Sequence, residues 1–276
     1  MTIASILTML NGVEGDVIDL EAASHLAAAF HCHSDLLHVR RDGLSGMPMI
    51  GEAMTADLIN IVQAQVEKEE QVRANRCQAT FDQWTQAHKT ESASLIDVTG
   101  SIGTLVARYG RLADMVVLPA PSLSDGNLSA AAEAAIYRTG RPVLFSPRQE
   151  LKTLGKRVSV FWNDSPEASR AVKAAMPFLQ QAKAVQISGV DDGSFDTSTV
   201  HDLAASLSRH GVIAEECLLA SDHRTAGEAL LDGAWDFDAD LIVMGAFGHS
   251  RLRELILGGV TQHILHVAGR PVLMMH

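Results

Sequence analysis

The sequence predicts an α/β fold built twice, as two tandem domains that each hold a five-stranded parallel sheet between layers of helices. Three observations predict it. Apolar runs of strand length alternate with amphipathic stretches of helix length along the whole chain, the pattern of parallel sheets. The chain also repeats itself. Ala113-Asp114-Met115-Val116-Val117 is echoed by Ala239-Asp240-Leu241-Ile242-Val243, and Gly140-Arg141-Pro142-Val143-Leu144 by Gly269-Arg270-Pro271-Val272-Leu273. Leu10-Asn11-Gly12 sits like Trp162-Asn163-Asp164, each after an apolar run. Repetition at this length means duplicated domains rather than a solenoid. Finally, 47% of residues are hydrophobic but only 5% aromatic, so small aliphatic side chains build the core, as in sheets buried on both faces.

Taken in order, the first half carries apolar runs predicting strands near 3–10, 34–39, 93–98, 114–119 and 142–146. Helices are predicted near 19–31, 54–88, 101–111 and 128–139. The stretch near 54–88 places Leu58, Ile61, Val62, Val66, Phe81 and Trp84 at roughly helical spacing and accounts for most of the extra length of this half. Its Glu67-Lys68-Glu69-Glu70 run reads as a solvated face. The second half repeats the plan, with strands near 157–162, 184–190, 213–219, 240–244 and 271–275. Its helices lie near 166–181, 198–210, 224–236 and 256–268. Ser165-Pro166-Glu167-Ala168 is a helix start: a capping hydroxyl, proline in the first turn, then an acid near the positive end of the dipole. Residues 147–156 form the linker between a domain over 1–146 and one over 157–276. Its Gly155-Lys156 is not a phosphate-binding P-loop, because the upstream glycine and following hydroxyl are absent.

A net charge of −11 argues against nucleic acid or an anionic membrane as main partner. No apolar run reaches membrane-spanning length, and the opening MTIASILTML lacks a basic region before its apolar residues, so a cytosolic protein is expected. Cys32, Cys77 and Cys217 are odd in number and widely spaced, which does not suit a disulfide framework.

The densest chemistry lies in residues 240–276. The run Leu241 to Met244 stops at Gly245, Gly248 follows, and Gly258-Gly259-Val260-Thr261 opens an amphipathic stretch that leads to Pro271 and a last apolar run. This order reads strand, glycine loop, helix, strand. It sets a helix N-terminus at the carboxyl edge of the sheet, where open α/β sheets bind ligands. Glycines admit close approach of main chain to a ligand, and unpaired N–H groups at a helix start suit phosphate. Tight turns and close helix–sheet packing are the competing use of the same glycines.

The spacing Gly245-x2-Gly248-x9-Gly258, after ADLIVM and before GRPVL, resembles the nucleotide-binding signature of the universal stress protein family. That resemblance spans nearly the whole chain. It implies Rossmann-like, adenine nucleotide alpha hydrolase-like domains packed as a pseudo-dimer, with the last strands of the two halves, 142–146 and 271–275, side by side. It further implies ATP or a related adenine nucleotide, with or without Mg²⁺, as ligand. Where the family usually has a hydroxyl after the third glycine this chain has Gly259, with Thr261 the first hydroxyl beyond it. The corresponding loop of the first half, LPAPSLSDGNLSAAAEAA, lacks the glycines and carries Pro119 and Pro121 in their region. Proline removes an N–H donor, so the first half is expected to be a degenerate domain that does not hold phosphate in the family's way.

By the same resemblance, Gly259, Val260 and Thr261 are the best phosphate contacts, with Gly245, Ala246, Gly248, His249, Arg251 and Gly258 completing the loop. Asn163 takes the place of the family's aspartate near the nucleoside, and Asp164 that of a glycine. Val190, in Gly189-Val190-Asp191, stands where relatives contact adenine through main chain. A turn-and-cap role for Asn163, a plain strand end at Val190, and solvated roles for His249 and Arg251 compete with these assignments. His31-Cys32-His33 and the pair His263 and His266 lack a second ligand pair at zinc-site spacing. No nucleophile is paired with a base, and no catalytic residue is assigned. The leading expectation is a nucleotide-binding stress sensor or regulator. Slow nucleotide hydrolysis at the same site, and a nucleotide-free scaffold acting through an unknown protein partner, are the alternatives. The resemblance allows a further homodimer beyond the internal pairing.

Overall fold

The computed structural model describes residues 2–13, 15–41, 56–88, 92–120, 126–147, 149–193, 195–220, 224–246 and 259–276. In the first half the apolar runs become β1 (Ser5–Leu10), β2 (His33–Arg40), β3 (Ala93–Thr99), β4 (Met115–Pro119) and β5 (Val143–Ser146). The helices between them are α1 (Asp16–Phe30), α2 (Ala56–His88), α3 (Ile102–Gly110) and α4 (Gly126–Arg138). The second half supplies β6 (Arg157–Phe161), α5 (Pro166–Leu179), β7 (Ala184–Asp191), α6 (Ser198–Ser208), β8 (Ala214–Ala220), α7 (Ala226–Asp236), β9 (Leu241–Gly245), α8 (Gly259–Val267) and β10 (Val272–Met275). Strand alternates with helix within each half, as the apolar periodicity predicts. α1 begins earlier than the sequence suggests, because the Asp16 carboxylate turns back onto the loop before it.

All ten strands join one sheet in the order β3-β2-β1-β4-β5-β10-β9-β6-β7-β8. Each half therefore reads 3-2-1-4-5 outward from its own edge, and every pairing is parallel except that of β5 with β10. There Val272 faces Phe145, Leu273 faces Leu144 and Met274 faces Val143, antiparallel, which is the adjacency expected of a pseudo-dimer. The join covers two apolar strand edges that would otherwise offer unpaired main chain to other molecules. Phe30 of α1 meets Phe178 of α5 edge to face at 5.0 Å, and Leu151 of the linker donates its N–H to Glu21 at 2.7 Å, so the halves are also tied across one face.

Successive residues of each strand point to opposite faces, and the core divides accordingly. Val158, Val160, Leu241 and Val243 pack beneath α1, α2, α5 and α6. Phe161, Ile242, Met244, Val116 and Phe145 pack beneath the helices of the opposite face, α3, α4, α7 and α8. The Ser165 hydroxyl accepts the Ala168 N–H at 3.1 Å with Pro166 in the first turn, the predicted start of α5. α2 departs from expectation in one respect. Glu67, Lys68 and Glu69 are exposed, but Glu70 is buried because Arg41 holds its carboxylate at 2.8 Å. The histidines and cysteine between α1 and β2 have local roles: His31 takes φ 52° and caps α1, Cys32 is buried, and the His33 ring bridges Ser92 and Asp35.

Candidate functional site

In the second half the strand order reverses between β6 and β9, and α5 and α8 lie on opposite faces there. The carboxyl ends of these strands form the switch point, the place at which such sheets take ligands. On the β6 side, Asn163 Oδ1 accepts the Ser165 hydroxyl at 2.7 Å, and Asp164 adopts φ 54°; both residues are exposed. Asn163 thus holds the turn while its amide stays at the surface. On β7, the last residue paired with β6 is Ser188, opposite Phe161, and the Ser188 carbonyl accepts the Trp162 N–H at 2.9 Å. Main-chain groups alternate sides along a parallel strand, so the N–H and C=O of Val190 face the same way as those of Ser188, beyond the paired end of β6.

On the β9 side, Gly245 continues the row Leu241, Val243 toward α5. A Cβ there would lie 2.5 Å from the Ala168 nitrogen and 2.8 Å from the Glu167 carbonyl carbon, so the absence of a side chain is a packing requirement. Ala246 is fully buried, and its N–H donates to Met275 at 2.9 Å. Gly259, Val260 and Thr261 form the opening turn of the described part of α8. Gly248, His249, Arg251 and Gly258 lie outside the described residues. Among the described residues no cluster of three or more His, Cys, Asp or Glu side chains suits a metal ion.

The equivalent switch point of the first half is filled by the chain itself. The buried Asp16 carboxylate accepts N–H groups from Asn11 at 3.0 Å, Gly12 at 2.7 Å and Val13 at 3.3 Å. Burial pushes its pKa up despite these three bonds. Glu70 takes the Arg41 N–H at 3.2 Å as well as its guanidinium. α2 crosses so close that a Cβ on Gly12 would lie 2.7 Å from Arg73. The cavity left beside Asn11, His38, Arg41, Glu70 and Arg73 is about 20 Å³, room for about one water. Pro119 ends β4 where Gly245 ends β9, and Pro121 lies outside the described residues. Sequence reading missed the two carboxylates. The available signal is an acid a few residues after the strand-ending Asn11-Gly12.

A charged group flanks this filled crevice. Asp97 accepts from Arg40 at 2.9 Å and meets the buried His38 Nδ1 at 3.0 Å. The Arg40 guanidinium, ahead of His38, holds the Asp97 carboxyl below its ordinary range. A depressed folded pKa stabilises above the unfolded value near 3.8 and loses that contribution as pH falls toward the folded value. Asp97→Asn is therefore expected to lower the urea midpoint at pH 7 more than at pH 3. An equal loss at both pH values would show that the carboxylate charge contributes nothing. Nearby, burial and the Asp16 and Asp97 carboxylates push the Cys77 thiol up to about 12, which makes it a poor nucleophile.

Two 3-2-1-4-5 parallel sheets joined edge to edge define a tandem Rossmann-like α/β protein. Residues 156–276 match the family model described as the universal stress protein family. Universal stress protein Slr1230 of Synechocystis is 25% identical over 244 residues, covering 83% of this chain and 82% of that protein. A universal stress protein from Archaeoglobus fulgidus shares the fold over 98% of this chain and 97% of its own, with TM-score 0.73 and 16% identity. A functionally unknown protein from Pseudomonas aeruginosa does so over 99% and 92%, with TM-score 0.57 and 13% identity. The family match thus covers the second half, and the chain is similar to a universal stress protein over most of its length. Among the described residues no helix is long and apolar enough to cross a membrane.

Proposed function

We propose that this protein is a cytoplasmic, nucleotide-responsive regulator of the stress response that binds ATP or a related adenine nucleotide in its second half only. In this reading residues 1–146 form a degenerate domain and 157–276 the binding domain. The observation that carries the proposal is the main chain offered at the second switch point. Val190 turns its N–H and C=O past the end of β6, the arrangement that reads an adenine edge, while the first turn of α8 brings N–H groups from the other face. Phosphates would lie against Gly259, Val260 and Thr261, helped by Gly248, His249, Arg251 and Gly258. The nucleoside would lie beside Asn163 and Asp164. Gly245 and Ala246 would carry the loop rather than donate to the ligand. Any Mg²⁺ would be held chiefly by phosphate oxygens and water. Hydrolysis has less support, because Asn163 offers an amide where a carboxylate would hold a metal or position water.

Calorimetric titration with ATP is expected to give one nucleotide per chain. Two equivalent sites, or a crystal with nucleotide only in the first half, would overturn the asymmetry. No heat on titration, together with no nucleotide found by mass spectrometry of the denatured protein, would overturn nucleotide binding itself.

A further inference from the structure

The last described residue reaches across the join between the halves. The His276 Nδ1 lies 3.1 Å from the carbonyl oxygen of Ala246. A carbonyl only accepts, so Nδ1 carries the proton and donates. The same imidazole meets the ring of Tyr137 edge to face, with centroids 4.8 Å apart and planes at 71°. Tyr137 belongs to α4 of the first half, whereas Ala246 directly follows β9 of the second. Because β5 and β10 run antiparallel, the carboxyl edge of the second sheet lies beside the amino edge of the first, and this brings the three residues together. Ala246 is also held by Met275 through its N–H, and Gly245 is pressed against the first turn of α5. The exit of β9 is thus fastened by β10, by α5 and, through His276, by the other half.

We infer that His276 is a positioning residue for the nucleotide site and that Tyr137, through it, makes the affinity of the second half depend on the first. This rests on the nucleotide-binding reading above. It adds that the degenerate half regulates the site of its neighbour through a specific contact.

The test compares ATP affinity in the full chain for His276→Ala, His276→Asn, Tyr137→Ala and the double variant His276→Ala with Tyr137→Ala. Tyr137 is 47% exposed, so its truncation leaves the core of α4 intact. His276→Ala is expected to weaken ATP binding about fivefold, the worth of one hydrogen bond. His276→Asn, which places an amide N–H near the position of Nδ1, should stay within about twofold of the native protein. Tyr137→Ala is expected to cost about threefold, the worth of an aromatic contact. The double variant should bind no more weakly than His276→Ala alone, since both act through one ring. Unchanged affinity in either alanine variant, additive losses, or an asparagine variant as weak as alanine would overturn the inference. If the native protein binds no ATP, the functional reading has failed, and amide exchange in the nucleotide-free chain decides the positioning role. Faster exchange at the Ala246 amide in both alanine variants supports it, and unchanged exchange overturns it.

Discussion

Gly259→Asp is expected to raise the dissociation constant for ATP at least about tenfold while leaving the far-ultraviolet circular dichroism of the chain unchanged. Gly259 opens the described part of α8, where the first N–H groups of a helix have no acceptor within it. In the proposed site those groups face phosphate. A carboxylate there brings bulk and like charge against the ligand. Losing a single charge-assisted hydrogen bond, at about 1.5–3 kcal/mol, already accounts for a tenfold loss. The fold is expected to survive because an acid near a helix N-terminus favours the helix dipole. Gly258→Asp should behave alike. Native affinity in a folded variant would mean that these glycines serve packing, and the scaffold reading would then lead.

The first glycine of the same motif is expected to answer differently. Gly245→Ala should lower the thermal midpoint by about 2–5 °C, in line with an overpacking cost of roughly 1–3 kcal/mol. The added carbon meets main-chain atoms, the Ala168 nitrogen at 2.5 Å and the Glu167 carbonyl carbon at 2.8 Å, which have no rotamer to escape into. Either β9 or the start of α5 has to move. Affinity for ATP should fall as well, since both elements border the proposed site. A variant with native stability but reduced affinity would reassign Gly245 from packing to ligand contact. In this reading one spacing pattern holds glycines of two kinds, distinguished by whether stability responds together with binding or binding alone responds.

The identity of the strands and helices was legible because it depends on local periodicity. Leu241 to Met244 alternate between two cores, and Ser165-Pro166 caps the helix it precedes. Glu70 shows where local reading stops. It continues a charged run, and nothing adjacent to it in sequence distinguishes it from Glu69; its burial depends on Arg41, which directly follows β2. His276 likewise has no local signature, and its partners Ala246 and Tyr137 come from different halves of the chain.

By itself the sequence determined the duplicated α/β plan, the asymmetry between a glycine-bearing second half and a proline-bearing first, and the aliphatic composition of the core. These follow from short-range spacing, which sets secondary structure and marks where a backbone can approach a ligand. Only the tertiary structure decided that Asp16, Glu70 and α2 fill the first crevice, that Gly245 is held by α5, and that His276 joins the two halves. Each of these depends on which distant segments the sheet order and the antiparallel β5–β10 join bring within hydrogen-bonding reach. The physical reason is that local preferences choose the elements, while long-range packing and the need to satisfy buried polar groups choose their neighbours.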